Sequence, residues 1–190
     1  MYIPRLKKKY NEKIVAKLQK EFGYNSPMQV PRLQAIHLNM GFARHKENRK
    51  LVENFLNNLT LIAGQKAVPT RAKKAISNFK LRAGMIVGGR ATVRGNRMFE
   101  LFDIIVTLAL ARVRDFRGLS PKSFDQQHHY TIGIKEQIIF PQINVDKVDK
   151  IAGLNITFVT NAKNRESSYA LLKELGMPFA NMHKTSKKNG

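Results

Sequence analysis

Histidine, cysteine, the carboxylates and glycine-rich turns are the residues that most often carry chemistry, and in this chain they are absent or wrongly spaced for it. Cysteine is missing, which removes thiolate nucleophiles, thiolate metal sites and disulfides together. The histidines are His37, His45, His128, His129 and His183, and no pair has the four-residue helical spacing and acidic partner of a zinc protease. His128 and His129 are adjacent, so on an extended segment their rings point to opposite sides, and the pair reads as loop rather than as a metal site. Gly84, Gly88 and Gly89 are not followed by the Lys-Ser/Thr of a phosphate-binding loop, and they miss the G-x-G-x-x-G spacing. Asp103, Asp115, Asp125, Asp146 and Asp149 are scattered, with no acid–base or nucleophile pattern. The chain therefore reads as a non-enzyme with no cofactor and no metal.

What does stand out is charge. The 190 residues include 34 Lys plus Arg against 13 Asp plus Glu, a formal charge of +21, yet 43% are hydrophobic, enough for a real core. From Asn54 to Phe99 there are nine basic residues and no carboxylate in 46 positions, whereas ordinary surfaces intersperse the two signs. Such an excess repels itself unless a polyanion neutralises it. Nucleic acid is the expected one, because each phosphate contact also releases condensed counterions. A membrane surface fits less well: no apolar run reaches the length of a spanning helix, and MYIPRLKKKY lacks the apolar core of an export signal. The expected setting is cytoplasmic. A nucleic-acid-processing enzyme would need a carboxylate cluster near the basic surface, and the window has none. A free RNA chaperone is the other alternative, and co-sedimentation would separate it from a component of a particle.

The elements that must position these residues follow from periodicity. Leu6, Tyr10, Ile14, Leu18 and Phe22 recur every fourth residue, predicting a helix that Gly23 ends. Arg32 to Met40 alternates, with Ile36, Leu38 and Met40 on one face and Ala35, His37 and Asn39 on the other, a half-buried strand. Asn48 to Ala63 is helical through Leu51, Phe55, Leu59 and Ile62. A strand is expected around Gln65 to Arg71, with Pro69 at its edge or end, and another from Gly89 to Arg94. Met98, Leu101, Phe102, Ile105 and Leu108 give the next helix. One or two strands fall in Tyr130 to Ile139, another in Leu154 to Thr160, and Tyr169, Leu172 and Leu175 mark a last helix stopped by Gly176 and Pro178. The expected fold is α+β: two layers, an antiparallel sheet with helices on one face and a long basic loop. It forms a single domain over 1–180, and 181–190 is a polar tail expected to be disordered. The helix-free sheet face is the natural place for polar contacts to RNA.

Assembled, these segments resemble the bacterial large-subunit ribosomal protein five family, which binds 5S rRNA. The resemblance rests on YNSPMQVPRLQAIHLNMG (Tyr24 to Gly41), GQKAVPTRAKKAISNFKLRAG (Gly64 to Gly84) and VRGNRMFE ending at Glu100. It continues in RVRDFRGLSPKSFD (Arg112 to Asp125), YTIGIKEQIIFPQI (Tyr130 to Ile143), GLNITFVTNAK (Gly153 to Lys163) and GMPF (Gly176 to Phe179). It implies a structural constituent of the large ribosomal subunit that attaches 5S rRNA to the large rRNA in the central protuberance. It also implies contact with peptidyl-site tRNA, and a bridge to a protein of the small-subunit head. Carried onto this chain, the 5S contacts are Asn39, Met40 and Gly41 after the first strand, Gln65 and Lys66 in the second, Thr92 and Arg94 in the third, and Asn155 on the late strand. The tRNA-facing loop is Arg71 to Arg82, with Arg71, Lys73, Lys74, Ser77, Asn78, Phe79, Lys80 and Arg82 as its contacts. A cluster of cations around an aromatic suits backbone recognition of many different tRNAs. Arg112, Arg114 and Arg117 either reach rRNA or the small subunit, or one of them braces the turn by pairing with Asp115. Two stretches depart from the family pattern: FARHKENRK after Gly41, and Gln126 to His129 in place of a glycine-containing loop.

Overall fold

A computed structural model describes residues 2–180, so the expected tail at 181–190 lies outside the described residues. The strands are β1 (Leu33–Gly41), β2 (Val68–Arg71), β3 (Ile86–Val93), β4 (Tyr130–Ile134) and β5 (Leu154–Thr160). They form one antiparallel sheet in the order β2-β3-β1-β5-β4, which puts β1 at its centre. Alternation decides which face is which: Ile36, Leu38 and Met40 of β1, Ala91 and Val93 of β3, and Leu154, Ile156 and Phe158 of β5 are all buried. Ala35, on the other face with His37, is buried as well, next to a register shift between Leu33 and Ala35.

The helices cover that apolar face and leave the other uncovered, as the α+β reading expects. The helix α3 (Arg49–Ala63) lies over β3 and β1 and buries Leu51, Phe55, Leu59 and Ile62. Asn48 caps it by accepting from Leu51 N–H at 3.2 Å, and Gly64 closes it at φ 64°. The approach to the sheet is close. A Cβ on Gly89 would stand 2.7 Å from Leu56 Cδ2 and 3.1 Å from Leu59 Cδ2, so any side chain there must push these leucines of α3 aside. The helix α4 (Gly95–Ile104) packs on β1, and the N-terminal helical run packs on α4 and on α5 (Arg165–Leu175).

Two helical runs contain a π-turn, and both explain their apolar spacing. The first proceeds as α1 (Arg5–Lys9), a π-turn at Tyr10–Ile14 and α2 (Val15–Phe22). A stripe at every fourth residue drifts round an α-helix by about 40° per step, since 3.6 residues make a turn. The wider π-turn absorbs part of that drift, and Leu6, Ile14 and Leu18 all stay buried. In the second run the π-turn at Ile105–Ala109 follows α4. There the expectation for Leu108 fails: Ala109 takes the core position after Ile105, and Leu108 is turned outward to 46% exposure.

The segment Tyr130 to Ile139 holds a single strand, β4, followed by a 3₁₀ turn at Gln137–Ile139. Gln137 is fully buried and ties that turn to the start of β5, donating to Lys150 O at 2.9 Å and accepting from Ala152 N–H. The turn-rich stretch before β4 is pinned to the chain end. Leu119 N–H donates to Pro178 O at 2.8 Å, Ala180 N–H donates to Leu119 O at 2.9 Å, and Phe124, Tyr130, Tyr169 and Phe179 cluster beside them. Tyr130 is buried with its hydroxyl donating to Ser120 O at 2.8 Å, and burial pushes its pKa up to about 12.

Candidate nucleic-acid interface

Strand register turns the uncovered face into rows. One row crosses all five strands: Val68, Arg90, Asn39, Asn155 and Gly133, each opposite the next across the ladder. The neighbouring row is Thr92, His37, Thr157 and Thr131. A third, shorter row is Thr70, Gly88 and Gly41. Arg90, Asn39, Asn155 and Val68 are exposed, and the second row is half-buried. Not one Asp or Glu occurs in any of the described strands.

The second row is already joined by side-chain hydrogen bonds. His37 Nδ1 lies 2.9 Å from Thr92 Oγ1, and the hydroxyls of Thr131 and Thr157 are 2.9 Å apart. Partial burial lowers the His37 pKa, and Arg94, His129 and Arg90 lower it further by repelling the imidazolium. The face thus combines fixed hydroxyl and amide groups with cations that no carboxylate of the sheet offsets. Such a surface suits ribose and phosphate oxygens. Among the described residues no group of three or more His, Asp or Glu is placed to hold a metal ion.

Asn39, Thr92 and Asn155 fall on this face, and Gly41 ends β1 beside it. Met40 does not. It is fully buried among the core side chains, so only its backbone lies at the sheet. The expected strand position of Gln65 and Lys66 is also corrected, because both precede β2. Gln65 instead reaches across to β3, donating from Nε2 to Thr92 O at 2.7 Å, while Lys66 is exposed. Arg94 stands one residue beyond β3, at the N-cap of α4, and still lies near enough to act on His37.

Arg71 to Arg82 is the distal part of a finger that continues the β2–β3 hairpin. Ala72 and Met85 bond at 2.9 Å, and Ile76 and Leu81 pair through reciprocal backbone bonds of 2.9 and 3.0 Å. Ser77, Asn78 and Phe79 form its tip, where Lys80 takes a left-handed conformation at φ 47°. Lys46 reaches up to Phe79 O, and Arg71 donates to Gly84 O at 3.0 Å. Lys73, Lys74, Lys80 and Arg82 are exposed and have no ion pair among the described residues, and Phe79 is 70% exposed.

Arg112, Arg114 and Arg117 line a cavity of about 600 Å³ against the end of β4, where Gly133 of the first row forms part of its wall. Asp115 sits among them at φ 54° and forms no ion pair with any of these three described residues. The departing loop at Gln126 to His129 is closed by Asp125, whose carboxylate accepts from Gln127 N–H at 3.0 Å and from His129 N–H at 2.7 Å. His128 occupies a left-handed conformation at φ 64°, the geometry that a glycine would take without strain.

Arg90, His37, Thr157 and Thr131 are members of the face to which sequence reasoning assigned no contact, although it set His37 beside Asn39 on the polar side of the strand. Period-two alternation was signal enough for the first three, which stand two positions from Thr92, Asn39 and Asn155. Thr131 needed the β4–β5 register.

Residues 26–82 match the family model described as Ribosomal protein L5, and residues 86–179 match the model for the C-terminus of the same ribosomal family. The chain is 54% identical over 175 residues to Large ribosomal subunit protein uL5 of Anaeromyxobacter sp. (strain K), covering 92% of this chain and 97% of that one. It is 53% identical over 175 residues to the protein of that name from Geobacter sulfurreducens, covering 92% and 98%. With that of Clostridium acetobutylicum the identity is 49% over 178 residues, covering 94% and 99%. This near-complete likeness leads to one conclusion, with which a polar, cation-bearing sheet agrees: the chain belongs to the ribosomal protein L5 family, structural and non-enzymatic constituents of the large ribosomal subunit.

Proposed function

We propose that the uncovered sheet face binds 5S rRNA and so helps attach it to the large rRNA in the central protuberance. The observation that carries this reading is the row from Arg90 through Asn39 to Asn155, polar and cationic across the centre of the sheet with no carboxylate in any described strand. Asn39 and Asn155 offer donors and acceptors in fixed geometry, and Arg90, Arg94 and Lys66 supply charge for phosphates. Arg71, Lys73, Lys74, Lys80 and Arg82, with Ser77, Asn78 and Phe79, form the part presented to peptidyl-site tRNA. The exposed ring of Phe79 can lie on a ribose or base, while the cations follow a backbone of any sequence. Arg112, Arg114 and Arg117, free of Asp115, are assigned to contacts with large-subunit rRNA or with the small-subunit head.

The test is a binding titration of the purified chain with 5S rRNA and with a scrambled RNA of equal length, across a series of salt concentrations. Preference for 5S rRNA, weakening steeply with salt, is the expected outcome. Equal affinity for the two RNAs refutes the assignment of the face.

A further inference from the structure

At the centre of the face stands a titratable ring. His37 lies on the middle strand, opposite Thr92 of β3 and Thr157 of β5, with its Nδ1 engaged by Thr92 Oγ1. Nε2 is therefore the nitrogen left for an arriving group. The charged or titratable groups facing the ring are all of one sign or neutral: Arg90 from β3, Arg94 just after it, and His129 from the segment entering β4. The other strands contribute only uncharged neighbours, Ala35 and Asn39 on β1 and Thr157 on β5, and the helices pack on the opposite face. In the free protein this surrounding favours the neutral imidazole. A phosphate laid across Arg90 and Arg94 reverses the balance, because it brings an anion to a ring that otherwise faces cations.

We propose that His37 is a phosphate-contacting residue of this face that takes up one proton from solvent as RNA seats on the sheet. The inference rests on the reading of the face as the 5S rRNA site. In the complex both ring nitrogens carry hydrogen: Nε2–H donates to a phosphate oxygen, and Nδ1–H donates to Thr92 Oγ1. The Thr92 hydroxyl, now an acceptor from the ring, has its own hydrogen free to donate outward to the RNA. One protonation thus creates two donors where the neutral ring presents fewer, and it does so only when the negative charge has arrived.

The experiment is calorimetry of the full chain with 5S rRNA near neutral pH in buffers of different ionisation enthalpy, for wild type, His37→Gln and His129→Gln. Wild type and His129→Gln are expected to take up more protons than His37→Gln, by up to one. Wild-type affinity should rise as pH falls through the His37 transition, by about tenfold if RNA raises the ring's pKa by one unit, and His37→Gln should flatten that rise. An NMR titration of the His37 ring in wild type, free and bound, needs no variant and should show the midpoint higher in the complex. Identical proton uptake in wild type and His37→Gln, with 5S rRNA still preferred over scrambled RNA, overturns the proposal and leaves the site standing. Uptake lost in His129→Gln instead moves the proton to the wrong ring and also overturns it. Loss of any preference for 5S rRNA overturns both readings together.

Discussion

Salt dependence distinguishes the sheet from the finger, because a cation and an amide leave different signatures. Arg90 is exposed in the cross-sheet row, between Asn39 and Val68. If it neutralises one phosphate of 5S rRNA, Arg90→Gln should lower the slope of log affinity against log salt by about 0.7–0.9. Between about 50 and 200 mM salt the wild type would then lose roughly threefold more affinity than the variant does. Asn39→Ala removes no charge and one side chain's hydrogen bonds, worth about 1 kcal/mol, so it should weaken binding roughly fivefold at every salt concentration with the slope unchanged. The contrasting variant neutralises Lys73, Lys74, Lys80 and Arg82 together. Were the finger part of the 5S footprint, removing four contacts would change the salt response over the same range by roughly a hundredfold. The expected change is none. The assay is a filter-binding or fluorescence titration at four or five salt concentrations. A finger variant that loses slope while Arg90→Gln keeps it would show that the two surfaces are assigned the wrong way round.

Other consequences concern the fold. Gly89→Val should lower stability by about 1–3 kcal/mol, since its Cβ meets Leu56 and Leu59 of α3 and two further carbons must also be housed; a denaturant melt reads this directly. Tyr130→Phe should cost about 1 kcal/mol by leaving Ser120 O without its donor. Because the folded state holds the Tyr130 proton to about pH 12, against an ordinary value of 10.0, stability should fall as pH rises from 10.0 through 12, and that part of the fall should vanish in Tyr130→Phe. Residues 2–180 should unfold in a single transition, because β1 is hydrogen-bonded on one side to β3 and on the other to β5; two resolved calorimetric transitions would contradict that.

The parts of this molecule legible in the sequence are those that periodicity controls. Ile36, Leu38 and Met40 announced the buried face of β1, and Leu51, Phe55, Leu59 and Ile62 announced that of α3, because burial repeats with the element's own period. Leu108 was misplaced for the same reason: a period of 3.6 was assumed where a π-turn widens it. Gln65 illustrates a different limit. Its neighbours read as a strand, yet its side chain takes a carbonyl that a ladder would otherwise serve, and no local pattern distinguishes those two uses of a polar residue. The site was half legible. Asn39 was visible as an outward residue and Thr92 was named through the family resemblance, but their meeting with Asn155 and His37 depends on which strands are neighbours and in what register, and one chain's sequence carries no pairing signal.

The carboxylates complete the electrostatic argument, because none of them lies on a described strand of the sheet. Asp103 pairs with Arg5, Glu174 with Lys17 and Glu53 with Arg49, all on or between the helices behind the sheet. Pairs this exposed contribute little to stability. They cancel only part of the field on the helical side, where Lys7, Lys8, Lys9, Lys13 and Lys20 keep the N-terminal run positive, whereas the strands carry cations alone. A net charge of +21 draws RNA to the protein as a whole, and the carboxylate-free strands and finger add cations where contact is made. The same arrangement works against the free protein, since Arg90, Arg94 and the finger's lysines repel one another until phosphate arrives. Added salt must therefore act in opposite directions on the two states, screening the repulsion in the free fold and weakening the grip on RNA.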